Sequence, residues 1–509
     1  MGRHRNLAIT IGIVAVIIRF IAIDQLFVDE WSWRQSDVAS IARNYFHHGF
    51  QFAYPQIDWA GDQPGYVGTE FPILPFIAAV CYKVTGVHEW VGRVQAVILF
   101  AVSLPFFFLL VRGVFNASAA TWATLFFSFA PMNIFAGRAF MPDVPSLSLA
   151  LIGLYFFMRW IDRERLTLID SSPDSSTLAG FPVHVARLPP APLLFAAAAF
   201  LSLSILIKLP TALIGAPLLC LAWQTFRWRI FRQRSLWLFA AIALLPSVVW
   251  YWHAHQIAEK FYPHHFFGAG GIRMENLSWY WKIAKLIATS GLTPLLLILA
   301  VLGAFMTRSK SPVRLFHAWL AAMILFIIIA GYGNRHPWYQ LPLIPIAAAF
   351  AGAACASSAA KFESRGGQVA LSILLAGCFG LLSFVYARPF YRPLAEQLHD
   401  AGLELKRTTA VNSLIVAADT GDPAIFYYAE RKGWHFLEKD GIYEGNPLDS
   451  EQLIVDLAKL RQRGATHLVL TANTFWWLDY YREFAERVGE STTLVEATPQ
   501  FKIYKLNPR

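Results

Sequence analysis

The chain has 509 residues, of which 56% are hydrophobic and only 15% are charged. A soluble protein of this length carries about 25% charged residues, so the composition excludes a wholly soluble chain. The net charge of +10 does not indicate nucleic-acid binding, because residues 388–509 hold 15 basic and 17 acidic side chains and the basic excess lies in the apolar part. The four cysteines have unrelated spacings and predict neither a disulfide framework nor a zinc site.

Apolar runs of membrane-spanning length recur up to residue 387 and predict a polytopic bundle of about eleven helices. The first run is interpreted as a span rather than a signal peptide, because it is long and no small-residue cleavage site follows it. The predicted spans are 7–27, 94–111, 117–136, 144–160, 191–208, 210–226, 235–253, 286–306, 315–332, 339–358 and 368–387.

Basic residues are concentrated in every second loop, and this pattern predicts the orientation of the bundle. With the N-terminus in the cytoplasm, the inner loops carry 16 basic and five acidic residues, as positive-inside topology requires. An odd number of spans then places the C-terminal part outside. The apolar segment 71–85 is too short to span, so we expect it to lie on the outer membrane surface within a long first outer loop, 28–92.

From residue 388 onward the sequence has the texture of a soluble α/β domain. Buried strands and amphipathic helices are predicted by residue pattern; the strands are Leu414–Ala418, His467–Leu470 and Phe501–Tyr504, and the helices are Glu451–Arg463 and Trp476–Val488. The fold class is therefore mainly α, with a transmembrane helical bundle (1–387) followed by an extracytoplasmic α/β domain (388–509). The loop Asp419-Thr-Gly-Asp-Pro has a composition common after strands and is only a secondary candidate for a ligand site.

Acidic residues gather where the predicted spans meet the outer surface. Asp29 and Glu30 follow the first span, and Asp143 stands in the next outer loop, in Arg138-Ala-Phe-Met-Pro-Asp-Val-Pro. Each of them could simply cap a following helix, since acids favour helix N-termini. The same topology nevertheless brings all three to one side and one depth, where carboxylates could deprotonate an acceptor nucleophile.

Cations and aromatic residues are predicted at the same level. Lys208 ends an apolar run, Arg138 precedes Asp143, and His336-Pro-Trp-Tyr339 opens the tenth span from outside. Such cations suit a phosphate held near the membrane, whose negative charge grows as a group leaves it. The alternative for Lys208 is snorkelling to the interface.

A divalent metal is a further possibility in the outer loops. Four histidines occur between residues 251 and 285, and Glu70 lies in the first outer loop; the histidines are His253, His255, His264 and His265. Their spacing matches no defined metal motif, so no cofactor is predicted with certainty. An interfacial belt accounts for the tryptophans and tyrosines of the same region.

Together these motifs resemble the GT-C glycosyltransferases. The pattern is an Asp-Glu pair after the first span, an Arg-x-x-x-Pro-Asp-x-Pro second outer loop and a late His-x-x-Tyr-x-x-Pro entrance, spread over residues 1–350. The chain is most similar to the protein mannosyltransferase and aminoarabinose-transferase-like group (glycosyltransferase family 39 type), which includes the rhizobial galacturonosyltransferases. The resemblance implies an inverting transfer from a polyprenyl-phosphate sugar on the periplasmic face of the plasma membrane.

The resemblance also implies roles for individual residues. Asp29 is the expected base with Glu30 beside it, Asp143 holds the acceptor or the base, and the donor phosphate contacts Lys208, Arg138 and Arg335. Glu70, His336 and Tyr339 are expected in the substrate pocket. Many relatives have Lys-Pro-Pro where this chain has Glu70-Phe-Pro, so Glu70 cannot supply the positive charge found there.

The expected partners are a polyprenyl-phosphate sugar, a lipid, glycan or protein acceptor, and membrane lipid. The main alternative is a multi-span transporter. A lipid-polymer ligase or a flippase of envelope precursors is the second, and a sensor with an outer ligand-binding domain is the third. Transporters hold ionisable groups at mid-membrane and contain repeated halves, whereas the acids here lie in outer loops without an internal repeat. Arg19 within the first span is the exception, with Asp24 as its expected partner.

Overall fold

The computed structural model describes residues 2–170, 189–266, 272–307, 311–361, 364–439 and 442–507. The chain forms two compact units. The first comprises Met1–Ile23, Val94–Trp250 and Gly268–Pro389, and the second comprises Asp24–Arg93, Tyr251–Phe267 and Phe390–Arg509. The second unit thus combines most of the predicted first outer loop with the C-terminal part. The domains predicted from sequence, 1–387 and 388–509, instead follow one another along the chain. Three of the predicted inner-loop cations, Arg187, Arg308 and Lys310, lie outside the described residues.

The secondary structure is numbered in chain order. The helices are α1 (Gly2–Arg19), α2 (Ser32–His48), α3 (Ile73–Thr85), α4 (Glu89–Val114), α5 (Ala117–Phe129), α6 (Pro131–Ala136), α7 (Asp143–Asp170), α8 (Pro190–Ile207), α9 (Gly215–Phe226), α10 (Arg234–Lys260), α11 (Leu277–Leu286), α12 (Pro294–Met306), α13 (Arg314–Ile329), α14 (Leu343–Ala359), α15 (Arg365–Ala387), α16 (Glu396–Thr408), α17 (Ala424–Ala429), α18 (Ser450–Gln462), α19 (Trp476–Tyr480) and α20 (Arg482–Ser491). The strands are β1 (Leu414–Ala418), β2 (Gly433–His435), β3 (Glu438–Lys439), β4 (Ile442–Tyr443), β5 (Ala465–Thr471), β6 (Thr492–Ala497) and β7 (Phe501–Leu506).

The first unit is built mainly from long apolar helices. Among the described residues, six helical stretches are long and apolar enough to cross a membrane, and a seventh is a pair bent by 103°. The six are Glu89–Val114, Asp143–Leu168, Pro190–Ile207, Leu209–Arg232, Arg234–Lys260 and Arg365–Thr408, and the bent pair is Leu277–Gly291 with Pro294–Met306. Shorter apolar helices occur at Ile73–Thr85, Arg314–Ile329 and Leu343–Ala359. The predicted multi-pass helical membrane protein is confirmed.

Several predicted spans are shorter or interrupted in the structure. The span predicted at 117–136 divides into α5 and α6 at Pro131, and the one at 286–306 bends before Pro294. Proline lacks an amide hydrogen and disfavours helical conformation in the residue before it, so a new helix begins at each of these positions. The first span, predicted to reach residue 27, ends as a helix at Arg19.

Arg19 is fully buried and joins α1 to the break between α5 and α6. Its guanidinium donates hydrogen bonds to the carbonyls of Ala15, Ser128 and Asn133, each at 2.9 Å, and lies 3.4 Å from the centroid of the Phe100 ring. The last carbonyls of a helix have no partner within it. Arg19 therefore satisfies carbonyl groups near the interruption between two helices, which is a structural task for a charge inside the membrane.

The second unit contains a mixed sheet in the strand order β2-β1-β5-β7-β6. Strands β2, β1 and β5 are parallel, and β7 is antiparallel to both β5 and β6. Val416, Trp434, Leu468, Trp477 and Phe484 lie in its buried core. The predicted C-terminal α/β fold is confirmed. The single helix predicted at Trp476–Val488 is instead α19 and α20, which are separated at Tyr481.

Helix α2 organises the other part of the second unit and was not predicted. Its sequence is polar, yet thirteen of its seventeen residues are buried. Its buried charges are paired: Arg43 contacts Asp58 at 2.6 Å and donates to the carbonyl of Tyr427, while Asn44 donates to Asp58 at 2.9 Å. A helix that is polar and buried on most sides needs such partners, which only the folded unit supplies.

Candidate active site

Asp29 lies immediately before α2 in the second unit and is 1% exposed. Its backbone carbonyl accepts the Ser32 amide at 3.0 Å. Its carboxylate accepts the Trp31 amide at 3.2 Å, the Gln35 side-chain amide at 2.8 Å and the Arg93 guanidinium at 3.4 Å. The N-cap residue of α2 is Trp31, which makes no side-chain capping hydrogen bond, so Asp29 does not cap this helix in the usual way. A buried cation and an amide donor contact the carboxylate, and hydrogen bonds to an ionised group are stronger than those between neutral groups.

Arg93 is fully buried and was missed by the sequence analysis. It donates to the Gln35 side-chain oxygen at 3.2 Å and to the carbonyl of Gln25, and it lies 4.8 Å from the centroid of the Phe27 ring. Its place directly before the predicted span 94–111, on the same side as Asp29, could have identified it. Arg93 and Gln35 fix the position of the Asp29 carboxylate.

Glu30 differs from Asp29 in being exposed. Desolvation and the neighbouring Asp29 carboxylate raise the pKa of Glu30, and Arg392 lowers it by a smaller amount. A carboxylate with a raised pKa is a better proton acceptor than an ordinary one. The pair thus consists of a buried, ion-paired acid and an accessible acid whose pKa is raised above its usual value.

Glu70 is buried and forms an ion pair with Arg34 of α2 at 2.8 Å. Thr69 donates a further hydrogen bond to it at 3.1 Å.

Burial, together with Arg34, lowers the pKa of His265 to about 4, which keeps that imidazole neutral. Among the described residues, no group of three His, Cys, Asp or Glu side chains could hold a metal ion. The divalent metal stays a prediction.

A second acidic cluster surrounds the C-terminal ends of β1 and β2. Asp419 contacts the His435 ring nitrogen at 2.8 Å, and Asp422 accepts a hydrogen bond from Ser32 in the first turn of α2. Trp59 donates to Asp37 of α2 at 2.9 Å. The loop Asp419-Thr-Gly-Asp-Pro, a secondary candidate from sequence, therefore contacts the helix that begins beside Asp29.

Burial raises the pKa of Asp37 to about 6 and that of Asp422 to about 7, against their hydrogen bonds to Trp59 and Ser32. Burial alone lowers the pKa of His435, but Asp419 outweighs it and the pKa is raised. Because these folded-state pKa values exceed the unfolded ones, the folded protein binds more protons. Their contribution to stability is therefore present at low pH and is lost as the pH rises through about 6 to 7.

We expect Asp422→Asn to flatten this pH dependence, because the amide cannot ionise but still accepts from Ser32. The measurement is the unfolding temperature of the detergent-purified protein between about pH 4 and pH 8. Asp479→Asn, which changes an exposed carboxyl, is the matched control and should retain the wild-type slope. The lowered pKa of His265 gives a pH dependence of stability with the opposite sign. This contribution is the same in every variant, because His265 is unchanged in all of them. Parallel curves for wild type and Asp422→Asn would contradict the assignment.

In the first unit, Asp143 begins α7 and pairs with Lys208 at 3.4 Å. Both side chains are 5% exposed, and the Lys208 ammonium lies 4.9 Å from the centroid of the Tyr339 ring. Helix α8 ends at Ile207, and Lys208 after it has an extended backbone conformation. Leu209 and Pro210 follow, and proline disfavours α-helical conformation in the residue before it. The structure thus brings together three of the predicted site residues.

Hydrogen bonds from hydroxyl groups that were not predicted hold the Asp143–Lys208 pair in place. Ser146, one turn after Asp143, lies 2.6 Å from the Thr211 hydroxyl and donates to the Ser204 carbonyl at 2.8 Å. These bonds join α7 to α8 and to the short turn after Lys208. They fix the helix end that carries Lys208 against the helix start that carries Asp143.

The other predicted residues of the first unit have different surroundings. Arg138 is 1% exposed, donates to the Ala22 carbonyl and lies 5.2 Å from the Phe135 ring centroid. Arg335 is exposed and lies 4.0 Å from the Tyr332 ring centroid. His336 stacks on Trp338 with ring centroids 4.7 Å apart. Their roles in phosphate or substrate binding stay predictions.

Comparisons with known proteins agree with this architecture. Residues 62–169 match the family model of dolichyl-phosphate-mannose-protein mannosyltransferases, a stretch that contains Glu70 and Asp143. No curated protein sequence matches the chain.

Several solved structures are similar over almost the whole chain, and two of them contain a lipid phosphate. ArnT from Cupriavidus metallidurans, bound to undecaprenyl phosphate, has 16% sequence identity and a TM-score of 0.65, covering 98% of this chain and 99% of ArnT. The oligosaccharyltransferase AglB from Archaeoglobus fulgidus, in complex with an inhibitory peptide and a dolichol-phosphate, has 13% identity and a TM-score of 0.57, covering 98% of this chain and 74% of AglB. The chain therefore shares the fold of ArnT and AglB, and the predicted fold class, a helical membrane bundle with a C-terminal α/β part, is confirmed.

Proposed function

We propose that this protein is a membrane glycosyltransferase that moves a sugar from a polyprenyl-phosphate donor to a cell-envelope acceptor, with inversion at the anomeric carbon. The observation that carries the proposal is the pairing of two of the three predicted catalytic acids with a buried cation, Asp29 with Arg93 and Asp143 with Lys208. The fold shared with proteins solved with undecaprenyl phosphate or dolichol-phosphate supports the donor class.

The proposed reaction needs a base and a charge acceptor. A carboxylate of the Asp29–Glu30 pair removes the proton from an acceptor hydroxyl, and the oxygen attacks the anomeric carbon. The bond between that carbon and the phosphate oxygen breaks, and its electron pair leaves with the polyprenyl phosphate. Lys208 stabilises the departing phosphate. In the resting protein Asp143 holds Lys208 in place.

We further propose that the transfer takes place on the periplasmic side of the plasma membrane, with the N-terminus in the cytoplasm. The bias of the inner loops, 16 basic against five acidic residues, supports this orientation. Reporter fusions after residue 5 and after residue 507 should show opposite sides of the membrane. Equal accessibility of both fusions would contradict the odd number of spans.

The proposed function is tested with radiolabelled polyprenyl-phosphate hexoses and pentoses supplied to membranes that contain the protein. We expect label to pass to a lipid, glycan or protein acceptor, and the anomeric configuration of the product to be inverted. Membranes from cells that lack the protein are the control. Uptake of a solute or flipping of the donor without transfer of label would favour a transporter or flippase and overturn the proposal.

A further inference from the structure

A second charged region of the first unit lies at the other end of α7 from Asp143. It is a cavity of about 270 Å³ lined by Arg112 of α4, by Arg159, Asp162 and Arg165 of α7, and by Gln224 of α9. Asp143 and Arg165 are 22 residues apart in one helix, which corresponds to about 33 Å. This is roughly the thickness of the hydrocarbon layer, so the cavity belongs to the membrane surface opposite Asp143.

The cavity has an excess of positive charge. Three arginines line it, and the one carboxylate among the described lining residues, Asp162, contacts Arg159 at 3.2 Å. Arg165 is 8% exposed and donates its Nε hydrogen to the Thr225 hydroxyl at 2.9 Å. Three arginines around one carboxylate in a partly enclosed space are costly to bury, and an anion bound there would lower that cost.

Two buried polar atoms of the cavity point to the chemistry of the ligand. The Nε of Arg112 and the side-chain oxygen of Gln224 have no hydrogen-bond partner among the described residues. Buried polar atoms are normally paired. The first is a donor suited to a phosphate oxygen, and the second is an acceptor suited to a hydroxyl group. A ligand with a phosphate and a nearby hydroxyl satisfies both.

An apolar groove leads away from this cavity. It encloses about 620 Å³ between α1 and α4 and shares Leu109 and Arg112 with the cavity. The charged residues among its described lining, Arg5 and Arg112, lie at the same end. Along α1 the groove runs from Arg5 to Ile17, which is about 18 Å and slightly more than one leaflet of hydrocarbon. The shape is that of a lipid chain with its anionic head at the arginines.

From these observations we infer that the protein binds an anionic phospholipid with a hydroxylated headgroup, such as phosphatidylglycerol, at the membrane surface opposite Asp143. The phosphate contacts Arg112 and Arg165, the headgroup hydroxyl donates to Gln224, and one acyl chain lies in the groove between α1 and α4. This site is separate from the proposed transfer reaction and does not depend on it.

The test is native mass spectrometry of the protein released from nanodiscs that contain equal amounts of phosphatidylglycerol and phosphatidylcholine. We expect wild type to retain phosphatidylglycerol preferentially, and Arg112→Gln to reduce its retention about tenfold, because the substitution removes a charged hydrogen bond to the lipid phosphate. Arg229→Gln removes the same charge from an exposed residue outside the cavity and should retain the lipid as wild type does.

Measurements on wild type keep the inference testable if Arg112→Gln does not fold. Its unfolding temperature should rise with added phosphatidylglycerol, but not with phosphatidylcholine or inorganic phosphate. Equal retention of both lipids by wild type would show that only bulk lipid remains attached to the protein, and it would overturn the inference. A rise in unfolding temperature with inorganic phosphate alone would show that the ligand is a free anion and not a lipid. Unchanged retention by folded Arg112→Gln would exclude the proposed headgroup contact.

Discussion

Asp29→Asn is expected to lower sugar transfer by about 10²–10⁴-fold, the range contributed by a general base. The substitution keeps the shape of the side chain and its ability to accept from Trp31 and Gln35, but removes the charge that faces Arg93. The measurement is the initial rate of label transfer from a radiolabelled polyprenyl-phosphate sugar in membranes with equal amounts of protein. Binding of the donor should be retained.

Glu30→Gln separates the two members of the acidic pair. Asp29 is closed off from solvent, whereas Glu30 is exposed and has the raised pKa. If Asp29 is the base, Glu30→Gln keeps most of the activity and shifts the pH profile of transfer. A larger loss in Glu30→Gln than in Asp29→Asn would assign the proton transfer to Glu30 and leave Asp29 as the residue that positions α2. Wild-type transfer rates in both variants would remove the pair from the mechanism.

The second large effect is expected at the pair formed by Asp143 and Lys208. Lys208→Met should destabilise the protein by about 3–5 kcal/mol, because it leaves the buried Asp143 carboxylate without its cation. Asp143→Asn should destabilise it for the converse reason. The double variant removes both charges and should recover most of the lost stability, as measured by the unfolding temperature in detergent.

Transfer activity should not recover with stability. If Lys208 neutralises the departing phosphate, the folded double variant stays at least about 10²-fold slower than wild type. Lys282→Met, which changes an exposed lysine of the same unit, is the control and should alter neither property. Wild-type transfer by the stable double variant would assign the pair a purely structural role.

The sequence predicted the elements that depend on residues close together in the chain. Apolar runs revealed the membrane helices because lipid requires about twenty apolar residues in succession, and the strand Leu414–Ala418 was predicted with the bounds that β1 has. Local patterns failed where neighbouring structure overrides them. Helix α2 is polar and was missed because its buried Arg43 is satisfied by Asp58, 15 residues away, and by the Tyr427 carbonyl, 384 residues away.

The candidate site shows the same division. The sequence by itself determined the membrane-spanning class, the α/β texture of the C-terminal part and the types of residue at the predicted outer surface, because composition and spacing are local properties. Only the tertiary structure decided that Asp29 pairs with Arg93, that Asp143 pairs with Lys208 and that Asp422 contacts Ser32. An ion pair depends on distances of a few ångströms between side chains, which the packing of helices and strands sets and which separation along the chain does not reveal.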